Sequence, residues 1–168
     1  MTPFQHTQFN VDNTALVLVD HQVGTIGWAG ELANDDERKQ LKMWVRVMAR
    51  FAKSAGMPVV LTTSLEGEAQ GPLLPEFKEI LPAEYAARIQ RTGVINAWDD
   101  PQFVKAVRAT GKKNLLMGGL TTDVCLVPPH CRPSKRASTW WPCWTSRRRA
   151  PRWRLKTHAT CCTKQALK

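Results

Sequence analysis

"TALVLVD", residues 14–20, decides the fold: it is short, apolar, rich in β-branched side chains and ends in an acid. A strand buried on one face alternates apolar and polar residues, whereas a strand covered on both faces reads as a continuous apolar run. The seven residues therefore predict a buried strand of a parallel sheet, the first of the chain, carrying Asp20 at its carboxyl end.

The flanking chain agrees. From Asp36 to Ala55 the residues Leu41, Trp44, Val45, Met48, Ala52 and Ala55 recur at helical spacing, with Asn34 or Asp35 as cap and Gly56 just past the end. "MPVVLTTS", residues 57–64, predicts a second buried strand, and "GEAQGPLLP", residues 67–75, predicts a loop from its glycines and prolines. "DDPQFVKAVRATG", residues 99–111, has an acidic cap, Pro101 at the first helical position, an apolar face of Phe103, Val104 and Val107, and Gly111 as terminator. "NLLMGGL", residues 114–120, is a third strand. Strands alternating with helices predict an α/β fold, an open Rossmann-like parallel sheet with helices on both faces. No internal repeat interrupts it.

At 168 residues the chain is long enough for one domain with its own core. No stretch approaches the ~18 consecutive apolar residues of a membrane helix, so a cytoplasmic protein is expected. The formal charge of +10 would point to nucleic acid or an acidic surface, but its distribution does not. Residues 1–129 hold 13 basic and 14 acidic side chains, a net of −1, while residues 130–168 hold 11 basic ones and no acid. The same segment contains four of the five cysteines (Cys131, Cys143, Cys161, Cys162) and four of the seven tryptophans (Trp140, Trp141, Trp144, Trp153). The expected organisation is a domain over 1–129 and a basic, Trp- and Cys-rich tail over 130–168.

In an open parallel sheet, ligands bind beyond the carboxyl ends of the strands. Asp20 closes one strand and Cys125 follows the "NLLMGG" strand by a short turn, so adjacency of those strands would bring an acid to a thiol. An acid can take the thiol proton, and a cation can stabilise the thiolate, the reactive form. Each residue also has a structural reading: Cys125 as a small core residue, Asp20 and Asp123 as caps, Arg91 as a surface charge.

"LVLVDHQ", residues 16–22, and "RTGVINAWDDPQFVKAVRATGKKNLLMGGLTTDVCL", residues 91–126, together resemble the isochorismatase-like cysteine hydrolases, and within them the YcaC subgroup. The resemblance runs from about residue 10 to Pro129. It implies a sheet in the order 3-2-1-4-5-6 and an Asp, Lys, Cys triad, with Asp20 on the acid, Arg91 on the lysine position and Cys125 on the nucleophile. It further implies a cis peptide at Leu120–Thr121 that aims backbone N–H groups at an oxyanion, and pocket positions at Trp28 and Trp98. The activity implied is attack of the thiolate on a small amide or a related carbonyl or enol-ether substrate. A homo-oligomer is implied for an intact member. Arginine departs from the family lysine; always charged, it can support the pair but cannot relay a proton. Metal-dependent relatives use histidines after the second strand, and "LTTSLEGEAQG", residues 61–71, has none, so neither metal nor other cofactor is expected.

The tail has no C-x2-C pair to chelate zinc. Its basic and tryptophan residues could neutralise phosphates and stack bases, which gives the alternative function: a noncatalytic protein of the same fold whose tail binds nucleic acid. No recognition fold accompanies it. A change of reading frame explains more. Tryptophan has the single codon TGG, so "WWPCWT", residues 140–145, read from the third codon position, must give V-A-x-L-D, a buried strand ending in an acid. The segment from about His130 is therefore expected to be a frameshifted, disordered translation. The fold's last strands would then be lost, "NLLMGG" would be left as an exposed edge, and turnover would be weak.

Overall fold

The computed structural model describes residues 10–28, 34–120, Cys125 and 161–164. β1 (Thr14–Val19) is buried along its whole length, as its uninterrupted apolar run requires. It lies between β2 (Val59–Ser64) and β4 (Asn114–Gly119), parallel to both, and β3 (Ile89–Arg91) adds to the far side of β2. The order β3-β2-β1-β4 is the expected one as far as it goes.

Helices cover both faces. α2 (Asp35–Ser54) buries Leu41, Val45, Ala49 and Ala52, and its N-cap Asn34 accepts the Glu37 N–H at 2.9 Å. The α2 core joins Leu16 and Leu18 of β1 to the short helices α3 (Pro75–Ile80) and α4 (Pro82–Ala86). On the other face, Ala15, Val17 and Val19 pack with Phe103 and Val107 of α5 (Pro101–Ala109), and with Trp98 and Cys125. The alternation of β1 between these two clusters follows from the twofold side-chain period of a strand. Asp100 caps α5 by accepting from the N–H groups of Gln102 and Phe103 at 2.8 and 3.0 Å. α1 (Val23–Trp28) follows β1 directly.

Two expectations are corrected. Trp44 does not face the core; it is 54% exposed, because the sheet-facing arc of α2 is filled by smaller residues on either side of it. The outer edge of β4 is not bare either. β5 (Cys161–Lys164), from the tail, pairs with it antiparallel, Met117 beside Cys161 and Asn114 beside Lys164. An apolar strand with unpaired N–H and C=O groups is a template for any extended segment that can reach it. The expected disorder of the tail otherwise concerns residues outside those described.

Candidate active site

The parallel register sets Val19 level with Thr62 on one side and Gly119 on the other, and Ser64 level with Arg91. The first residues past β1 thus meet the end of β3 and the chain leaving β4. Asp20 turns out of β1 with φ of 55°, a left-handed conformation that Asp tolerates better than most residues. Its N–H donates to the Thr62 carbonyl at 3.0 Å, and its carbonyl accepts from the Gln22 N–H at 2.8 Å. That tight turn leaves the carboxylate buried and level with β3 and β4.

Arg91, buried at the end of β3, fills the space beside it. Its Nη2 donates to both Asp20 oxygens at 2.5 Å, its Nε donates to Thr62 Oγ1 at 3.0 Å, and its Nη1 donates to the carbonyls of Val94 and Ile95. A guanidinium has five N–H groups, and here all five have acceptors within the fold. Thr62 Oγ1 in turn donates to the Ile89 carbonyl at 3.0 Å, tying β2 to β3 through the same cluster.

Cys125 Sγ lies 3.7 Å from Asp20 Oδ2 and donates to it from a buried position. The geometry thus joins all three residues picked out in the sequence, with the carboxylate between the thiol and the cation. Burial pushes the Asp20 carboxyl above its ordinary 3.8; the hydrogen bonds and charge of Arg91, and then the Cys125 contact, pull it part of the way back. A carboxylate held this way is a better proton acceptor than an exposed one.

The remaining positions fall differently. Leu120 is buried just past β4, and Thr121 lies outside the described residues, as does the peptide bond between them. Trp98 is buried edge-on to Phe103, with ring centres 5.2 Å apart, in the same cluster as Cys125. Trp28 ends α1 and is 61% exposed.

Sequence reasoning gave no role to Gln22, which is fully buried and laces the site's floor together. Its Oε1 accepts the Ser64 N–H at 2.9 Å, and its Nε2 donates to the carbonyls of Ser64 at 2.9 Å and Gly71 at 2.5 Å. The signal available was an amide two residues past a buried strand, where only a polar group meeting free backbone could be stable. Thr62 was likewise invisible as a ligand of Arg91, since its partner came from a strand too short to recognise.

Known proteins share the sequence and fold of this chain. The isochorismatase domain matches residues 14–128. The probable hydrolase YcaC of Escherichia coli strain K12 is 41% identical over 124 residues, which is 74% of this chain and 57% of that protein. Among solved structures, YcaC from Pseudomonas aeruginosa, with hexane-2,5-diol and covalent acrylamide, superposes with a TM-score of 0.64 at 40% identity, covering 76% of this chain and 60% of that one. The Escherichia coli YcaC gene product, an octameric hydrolase of unknown specificity, gives 0.63 at 38% identity, covering 77% and 60%. The chain therefore spans less than two thirds of the length of these relatives.

Proposed function

The chain belongs to the isochorismatase family, and from that premise we propose that its site is that of a cysteine hydrolase with Cys125 as nucleophile and Asp20 as base. The observation that carries this reading is the 3.7 Å contact between Cys125 Sγ and a buried carboxylate that Arg91 holds from its other side. A core cysteine has no need of such a partner; a thiol that must lose its proton to attack does.

The reaction uses these residues in turn. Asp20 takes the Cys125 proton as Sγ adds to the carbonyl carbon of a small amide. The tetrahedral oxyanion is met by backbone N–H groups past β4, with Leu120 and Thr121 as the proposed bearers. Asp20 then protonates the departing nitrogen, which leaves as amine, and a thioester remains on Cys125. Water, deprotonated by Asp20, cleaves the thioester and restores the thiol. The sum is amide plus water giving acid plus amine. Arg91 takes no part in proton transfer, and with every N–H engaged inside the fold it is a positioning residue: it aims the carboxylate and balances its charge.

Acrylamide is an electrophile that adds to thiolates, and the Pseudomonas aeruginosa relative carries it covalently. The same addition at Cys125 is the direct test here. Site-resolved mass spectrometry should find Cys125 labelled by acrylamide near neutral pH, ahead of the tail cysteines, and the label should vanish in Cys125→Ala. A Cys125 that stays unlabelled while the folded chain persists would sink the reading.

Two further parts of the proposal concern the whole chain. Residues 1–129 form the hydrolase domain, and the family match ending at residue 128 supports a frame change just beyond it. The encoding DNA would show it: stop codons in the alternative frame, or no apolar strand there, would refute it. The octameric relative supports a homo-oligomer of this chain as well.

A further inference from the structure

α2 has three flanks, and among the described residues only two have partners. Leu41, Val45, Ala49 and Ala52 face the sheet. Lys42, 3.9 Å from Glu76, and Lys53, whose Nζ donates to the Ile80 carbonyl at 2.8 Å, mark the flank turned toward α3. The third flank carries Met43, Trp44, Val47 and Phe51, exposed by 49, 54, 46 and 52%. Trp44, Val47 and Phe51 follow one another at intervals of three and four, the spacing of a seam that packs against another helix. Large apolar side chains contiguous along one helix face seldom stay in water in a single-chain protein.

We propose that this seam is covered by α2 of a second copy of the chain, packed antiparallel across it. This deepens the assembly reading given above and rests on it: the octameric relative shows that a related fold does self-associate. Charge fixes the direction. Beside the seam, the first turn of α2 holds Asp36 and Glu37, and a later turn holds Arg50, next to Val47 and Phe51. Antiparallel pairing sets each acidic end against the partner's basic end, whereas parallel pairing would oppose like charges. Such a contact is isologous, the same surface used by both copies. Gln40 and Ser54 continue the seam in polar form at its two ends, so the apolar contact is confined to the middle turns.

The test is the mass of the full-length chain in solution, measured by light scattering or sedimentation. The unaltered chain should assemble at high micromolar concentration, and Trp44→Glu and Val47→Glu should each lower its mean mass at least twofold while keeping the helical circular dichroism. A single-copy unaltered chain overturns both this proposal and the assembly reading. Unchanged mass in both folded variants overturns this surface alone and leaves assembly standing. Hydroxyl-radical footprinting of the unaltered chain decides the matter should the variants fail to fold. Oxidation of Met43 and Trp44 should slow several-fold as the chain is concentrated. Protection that persists on dilution would mean the chain covers its own seam, and equal oxidation at all concentrations would mean nothing does; either overturns the proposal. None of these readouts depends on Cys125, so the hydrolase reading stands or falls separately.

Discussion

Arg91 and Asp20 share one arrangement but fail in different ways when replaced. Lysine at position 91 could reach the carboxylate, but its single nitrogen cannot also serve Thr62 Oγ1 and the carbonyls of Val94 and Ile95. Arg91→Lys should therefore cost about 2 kcal/mol in urea unfolding, from buried acceptors left unmet. It should also slow Cys125 labelling, since the carboxylate is no longer aimed. Asp20→Asn keeps the size of the side chain but removes the proton acceptor, and should slow Cys125 labelling more than it changes stability at neutral pH. The pH dependence has a definite sign. Because the folded carboxyl sits above 3.8, the folded state keeps a proton that the unfolded state has released. The contribution of Asp20 is thus fully present below that value and lost as pH rises through the folded one. Between them the stability of Asp20→Asn should vary less with pH than that of the unaltered chain, as denaturant melts across that range will read out. The same shift puts the acid limb of Cys125 reactivity above 3.8.

At the scale of the element, legibility followed length and periodicity. β1, β2, β4, α2 and α5 were readable because a buried strand is a continuous apolar run and a long helix repeats its apolar face. α1, α3 and α4 have six, six and five residues, less than two turns each, too few for a period to show. β3 has three residues, so Arg91 was placed by resemblance while the strand delivering it went unseen. Trp44 misled because an apolar residue beside the buried arc looks like part of it. Gln22 went unassigned because its partners, Ser64 and Gly71, lie 42 and 49 residues away. Gln22→Ala should leave the end of β2 and the following loop without their buried amide, costing about 1–3 kcal/mol by thermal or chemical melting. Asp100→Ala, which removes the cap of α5, should cost about 1 kcal/mol by thermal or chemical melting.

For the whole molecule, the sheet's carboxyl edge is where three separate parts of the chain converge: the exit from β1, the end of β3 and the chain past β4. The exit from β1 and the chain past β4 were readable in sequence and the end of β3 was not, and their meeting depends on the strand order β3-β2-β1-β4, which the alternation of strands and helices alone could not supply. The compositional break near Pro129 was equally plain, but not that four tail residues would close the β4 edge. The central claim is that this convergence makes Cys125 a nucleophile served by Asp20. It is tested most directly by the rate of acrylamide addition to Cys125 across pH, resolved by site, in the unaltered chain and in Asp20→Asn. The account predicts an acid limb set by the carboxyl in the unaltered chain and a rate at neutral pH about tenfold or more lower in folded Asp20→Asn. Equal rates in the two proteins, rising with pH only as an isolated thiol would, would contradict it.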